Sequence, residues 1–166
     1  MFSFIGYYIY AEQNEHLVVE AVKSKEAEEK TVFEILNIAD IIGKTDYLLT
    51  NQSSIWYQNT FNVTSDDIMA AFSTYFDTDT NYEAYIYVNN ELKFYQKAYS
   101  PEGYYTFKLN KFIPLHVGDV FEIAIKITTQ NIATIPVSES KYTNKKIFKK
   151  GMSYISYDVK KWSDLY

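Results

Sequence analysis

From Val120 to Thr128 the side chains alternate: Phe121, Ile123, Ile125 and Ile127 fall on one side, Val120, Glu122, Ala124, Lys126 and Thr128 on the other. A period of two marks a strand with one face in a core. Burying the four apolar side chains is worth roughly 6–12 kcal/mol before conformational entropy is subtracted, so this segment must find partners. The run before it alternates in the same way through Tyr105, Phe107 and Leu109, and the link between them carries Pro114, Gly118 and Asp119. Such residues reverse a chain, so the two runs are expected to pair with each other.

Beyond Gly43 the same character continues, with extended runs separated by clusters of Asn, Asp, Ser and Thr. Strands are expected near Ile55 to Val63, Asp67 to Phe76, Glu83 to Val88, Leu92 to Tyr99, Tyr104 to Leu109, Val120 to Thr129, Ile135 to Ser138 and Ser153 to Tyr157. Asn89-Asn90 reads as a two-residue hairpin turn because Asn tolerates positive φ. The first quarter is less regular. Tyr7 to Ala11 and His16 to Val22 read as short strands, the latter also suiting a helix face; Lys23 to Lys30 reads as an exposed helix or connector. Through Thr31 to Ile42 the apolar spacing is helical. The expected fold is an all-β, jelly-roll-like antiparallel β-sandwich over residues 43–166, with residues 1–42 as an extension or its first strands, carrying a short helix.

Composition narrows the function. Seventeen tyrosines and eleven phenylalanines suit pleated, half-wet surfaces. All 16 basic residues are lysine, so bidentate guanidinium recognition of phosphate or carboxylate is absent. A net charge of −5 disfavours nucleic acid as a partner, and the lysine-rich run Lys141 to Lys150 reads as a solvated loop. Without cysteine there is no disulfide, thiolate metal site or cysteine nucleophile. The apolar start lacks the basic and small-residue features of a signal peptide, and no apolar run is long enough to span a bilayer. An extracellular role would therefore need an export signal elsewhere, on a longer parent chain.

Few residues offer chemistry. His116 and Asp119 share one turn, but no nucleophile motif accompanies them, and a surface histidine is the simpler reading. Asp77, Asp79 and Asn81 alternate as calcium ligands do, yet Tyr82 and Val88 stand where an EF-hand needs glycine and glutamate. They read either as a looser calcium loop or as a polar turn; no other cofactor is expected. Asn51-Gln-Ser53 and Asn62-Val-Thr64 are N-glycosylation sequons. Tyr85 and Tyr87 share one face of a strand, with Tyr95 across the hairpin. These tyrosines would either stack on sugar rings or cover the outside of the sheet.

The closing segment, Gly151-Met-Ser-Tyr-Ile-Ser-Tyr-Asp-Val-Lys-Lys-Trp-Ser-Asp-Leu165, is similar to the final motif of the lectin-like domain found after papain-type cysteine peptidases and in adhesin-like surface proteins of methanogens. Ile55 to Phe61, Thr74 to Phe76 followed by Tyr85 to Val88, Gly103 to Leu109, and Ile113 to Phe121 match that family in order, so the resemblance covers about Ile38 to Leu165. Val159 departs from it, standing where the family has glycine. Ser156, Asp158 and Trp162 also resemble an Asp-box hairpin one residue short, with Asp158 expected to bond turn amides and Trp162 to seal one end of the core. The resemblance implies a non-catalytic, cell-surface accessory or adhesion module that binds carbohydrate or another surface polymer. The alternative is a spacer or folding partner of a larger surface protein, such as a cysteine peptidase, with no ligand of its own.

Overall fold

The computed structural model describes residues 2–3, 5–10, 33–35, 44–138 and 149–166. The early strands are β1 (Phe2–Ser3), β2 (Ile5–Tyr10), β3 (Phe33–Ile35) and β4 (Asp46–Leu49). There follow β5 (Ser54–Asn62), β6 (Asp67–Phe76), β7 (Thr80–Val88), β8 (Glu91–Ser100), β9 (Gly103–Leu115) and β10 (Val120–Thr128). The chain closes with β11 (Thr134–Ser138), β12 (Ser153–Ser156) and β13 (Ser163–Asp164). All pairings among them are antiparallel, and among the described residues there is no helix.

One sheet has the order β13-β12-β5-β10-β7-β8, a second β3-β2-β6-β9, and a small third β1-β11-β4. The first two enclose the core as a β-sandwich. From the larger sheet Tyr82 meets Phe76 of β6 at 5.3 Å and Phe107 of β9 at 5.0 Å, and Phe94 meets Phe72 edge-on at 6.0 Å. One buried polar bond also crosses between the layers, from the hydroxyl of Tyr57 on β5 to that of Thr74 on β6, at 3.1 Å. Burial pushes the Tyr57 phenol well above its ordinary range, and the Thr74 bond only partly offsets that. Tyr57 therefore stays neutral, so its ring can lie in the core at the cost of one satisfied hydroxyl.

β10 is the centre of the larger sheet, bonded to β5 on one side and β7 on the other. Phe121, Ile123, Ile125 and Ile127 are all buried. Its expected partner is overturned, because β9 pairs with β6 in the opposite sheet. The reversal through Gly118, at φ +91, carries the chain across the sandwich and not into a hairpin. A hairpin would have aligned both apolar faces side by side. The crossing instead sets Leu109, Ile113 and Leu115 on one inner face and the β10 residues on the other, all within one core cluster.

Asn89 and Asn90 turn the β7–β8 hairpin with φ of 50° and 67°, the left-handed pair that a two-residue turn demands. Within the helically spaced stretch Thr31 to Ile42, Phe33–Ile35 is instead a strand paired with Tyr8–Tyr10. Ladder bonds to β2 outweigh a weak local preference there. The remainder of that stretch, His16 to Val22, Lys23 to Lys30 and most of the Lys141 to Lys150 run lie outside the described residues.

Candidate binding face

Because β5, β10, β7 and β8 alternate in register, their outward residues form transverse rows on the open side of the larger sheet. One row reads Trp56, Lys126, Glu83, Lys97, and the next Gln58, Ala124, Tyr85, Tyr95. Tyr85 is the hub: its ring centroid lies 5.4 Å from that of Trp56, 4.8 Å from Tyr95 and 6.4 Å from Tyr87, the last nearly parallel at 9°. Trp56 and Tyr85 stand on strands flanking β10 and meet above Ala124, whose small side chain leaves them room. Ala124 is only 3 % exposed although it points outward.

Three charged side chains cluster beside the rings, Glu83, Lys126 and Lys97. Glu83 accepts from the Tyr85 hydroxyl at 2.9 Å and from the Tyr95 hydroxyl at 3.4 Å. Lys126 lies 3.4 Å and Lys97 3.8 Å from its other oxygen. The Tyr85 bond above all, then the two lysines, hold the Glu83 carboxyl below its usual range against a partial burial that pushes the other way. Burial and the Glu83 partner raise the Tyr85 phenol far above its own. Lys126 also sits 5.6 Å from the Trp56 ring centre, within cation–π reach. The result is an aromatic strip with fixed tips: a surface that can stack on a flat, part-apolar ligand and offer oxygen and ammonium groups beside it.

A family model described as "Lectin like domain" matches residues 38–166. The chain belongs to the lectin-like domain family. No curated protein and no solved structure matches it.

At the lectin-like domain's closing motif, Asp158 Oδ1 accepts from the backbone N–H groups of Lys160 and Lys161, each at 2.9 Å. Those amides hold the Asp158 carboxyl below its usual range. The Ser156 hydroxyl donates to the Lys161 carbonyl at 2.7 Å and accepts from the Val159 N–H at 2.9 Å; Trp162 is half-buried. Val159, at the position where the resemblance places glycine, has φ +66. A β-branched residue thus holds a left-handed backbone that glycine would adopt freely. That conformation costs a residue with a Cβ about 1–2 kcal/mol, against about 0.5–1 kcal/mol of extra unfolded-chain entropy for glycine. Val159→Gly is therefore expected to stabilise the domain by about 0.5–1 kcal/mol and raise its melting temperature by about 1–4 °C. Val159→Ala, which keeps a Cβ, should gain little; a glycine variant melting no higher than wild type would count against strain here.

Of the alternating oxygens of Asp77, Asp79 and Asn81, those of the two aspartates serve separate partners. Asp77 accepts from the Thr134 hydroxyl at 2.7 Å, whereas Asp79 accepts from the Tyr99 hydroxyl at 2.6 Å and the Glu102 N–H at 3.2 Å. Asn81 is exposed on β7. Among the described residues no three of His, Cys, Asp and Glu gather as a metal site would need. His116 is exposed, its Nδ1 3.7 Å from Asp66, and its backbone N–H donates to the Asp119 carboxylate. Sequence reasoning missed Trp56, Gln58, Glu83 and Lys126 as members of the face. The signal for Trp56 was present, since Ile55, Tyr57, Asn59 and Phe61 point inward and leave it outside.

Proposed function

We propose that the lectin-like domain is a non-catalytic binding module of a larger cell-surface protein and that it holds carbohydrate on the aromatic strip. One observation carries this reading: Tyr85 touches three other aromatic rings on a single outward sheet face. A sugar has an apolar C–H face for such rings and a hydroxyl edge for Glu83, Lys97 and Lys126. Work outside the cell is supported by the two sequons, whose acceptors Asn51 and Asn62 are both exposed.

A second reading, a spacer with no ligand, draws on the same face. The Tyr85 and Tyr95 hydroxyls already bond to Glu83, so the strip is also a self-satisfied sheet cover. A glycan array decides between them. Wild type is expected to retain at least one glycan class, and Tyr85→Ala to weaken that binding tenfold or more, as aromatic anchors at interface centres do. Tyr87→Ala, at the end of the strip, should lose less. Binding that is absent, or indifferent to these half-buried rings, leaves the spacer.

A further inference from the structure

Two rows along from Tyr85, the same outward face ends in a polar hollow of about 210 Å³. Its floor is the row Thr128, Asn81, Tyr99, set side by side on β10, β7 and β8. Asp79 lies just ahead of β7, and Gln130 and Asn131 come from the loop that follows β10. Asn81 and Tyr85 are four residues apart on one strand, so the hollow begins about 13 Å from the hub of the strip. Only the row Trp56, Lys126, Glu83, Lys97 comes between. The space is smaller than a pocket that engulfs a whole ligand, about 300–1,000 Å³. It suits one ring of a ligand that continues elsewhere.

Tyr99 is the fixed part. Its hydroxyl donates to Asp79 Oδ2 at 2.6 Å, and the other Asp79 oxygen accepts from the Glu102 backbone N–H at 3.2 Å. Those two bonds, the phenol's first, hold the Asp79 carboxyl below its usual range, so it is an ionised acceptor at neutral pH. A carboxylate offers about four acceptor positions, and among the described residues only these two donors reach it. Tethered at its tip, the Tyr99 ring is still 58 % exposed, with no other ring packed on it among the described residues. Around it the side-chain carboxamides of Asn81, Gln130 and Asn131 are exposed and make no hydrogen bond within the described residues.

These groups define the chemistry of an occupant. Each carboxamide both donates and accepts, as a sugar hydroxyl does, and Asp79 adds acceptors only. Tyr99 offers a held ring face to C–H groups at little further cost in side-chain entropy. Asp79 is the one charged group in the lining, so an anionic ligand meets like charge. Calcium wants several carboxylate oxygens, whereas here a single carboxylate is already engaged on both sides. We propose that the hollow is a second sugar subsite, holding one uncharged hexose ring stacked on Tyr99 with its hydroxyls on Asp79 and the three carboxamides. The choice of a sugar rests on the carbohydrate reading above, whose strip lies on the same face; the preference for an uncharged ring comes from the hollow's own groups.

The test is an amide-resolved NMR titration of the whole chain with the methyl glycosides of glucose, galactose and mannose, each beside the methyl glycoside of its uronic acid. At least one neutral glycoside is expected to shift Asn81, Tyr99, Gln130 and Asn131, and its uronic counterpart to bind roughly tenfold more weakly. Tyr99→Ala should cut the neutral sugar's affinity tenfold or more, and Gln130→Ala by a smaller factor. Both side chains are exposed and Gln130 lies outside every strand, so the fold survives these changes. Equal binding of neutral and uronic glycosides overturns the proposal, as does a Tyr99→Ala variant that binds like wild type. Shifts confined to Trp56, Tyr85 and Tyr95 overturn it while keeping the strip, whereas shifts confined to the hollow support it and count against the strip. No shift at either place overturns the hollow, and the glycan array then decides the strip by itself.

Discussion

Phe121→Ala is expected to destabilise the sandwich by about 3–5 kcal/mol, lowering its melting temperature by roughly 6–20 °C. Phe121, the second residue of β10, is 1 % exposed and stacks on Phe61 of β5 with centroids 4.8 Å apart. Truncation removes the transfer energy of the ring and leaves a hole that flanking strands cannot close, since β5 and β7 are both held to β10 along their lengths. Val120→Ala, one residue earlier and on the wet face, is the control and should stay within about 0.5 kcal/mol. Urea titration of both variants checks the difference. Equal midpoints would mean that the alternation along β10 does not divide core from solvent.

That alternation was the most legible feature of the chain, because a period of two needs no knowledge of neighbours. The hairpin at Asn89 and Asn90 was legible for a similar reason: positive φ is a local demand that few residues meet. Tyr85, Tyr87 and Tyr95 followed from these two facts together, since strand parity and a two-residue turn fix which side chains share a face. Partnership was not legible. The turn residues between β9 and β10 announce a reversal, but nothing local says whether the chain returns in the same layer or crosses to the other. The members contributed by β5 and β10 stayed hidden for the same cause. Trp56 and Tyr85 are far apart in sequence and meet only because β10 inserts between their strands. The helical spacing near Phe33 failed differently: apolar residues three and four apart are compatible with an edge strand when a partner offers ladder bonds.

Ala124→Leu tests whether that insertion matters to function. Trp56 and Tyr85 approach to 5.4 Å across β10, where the outward residue opposite Tyr85 is Ala124 with only a methyl group. An isobutyl group in its place must lift one ring or both. In a closed core such overpacking costs about 1–3 kcal/mol; on an open face the rings can swing into solvent, so about 1 kcal/mol is expected. Glycan affinity should suffer more than stability. Stacking needs the rings of Trp56, Tyr85 and Tyr95 to act as one surface, and with Tyr85 displaced its bond to Glu83 goes too, so affinity for the best array ligand is expected to fall more than tenfold. Ala124→Ser, which preserves the space, should alter neither quantity appreciably. Calorimetric titration beside thermal melting separates the outcomes. If Ala124→Leu bound its glycan as tightly as wild type, the convergence of the two rings would be packing alone, and the ligand would have to sit elsewhere on the domain.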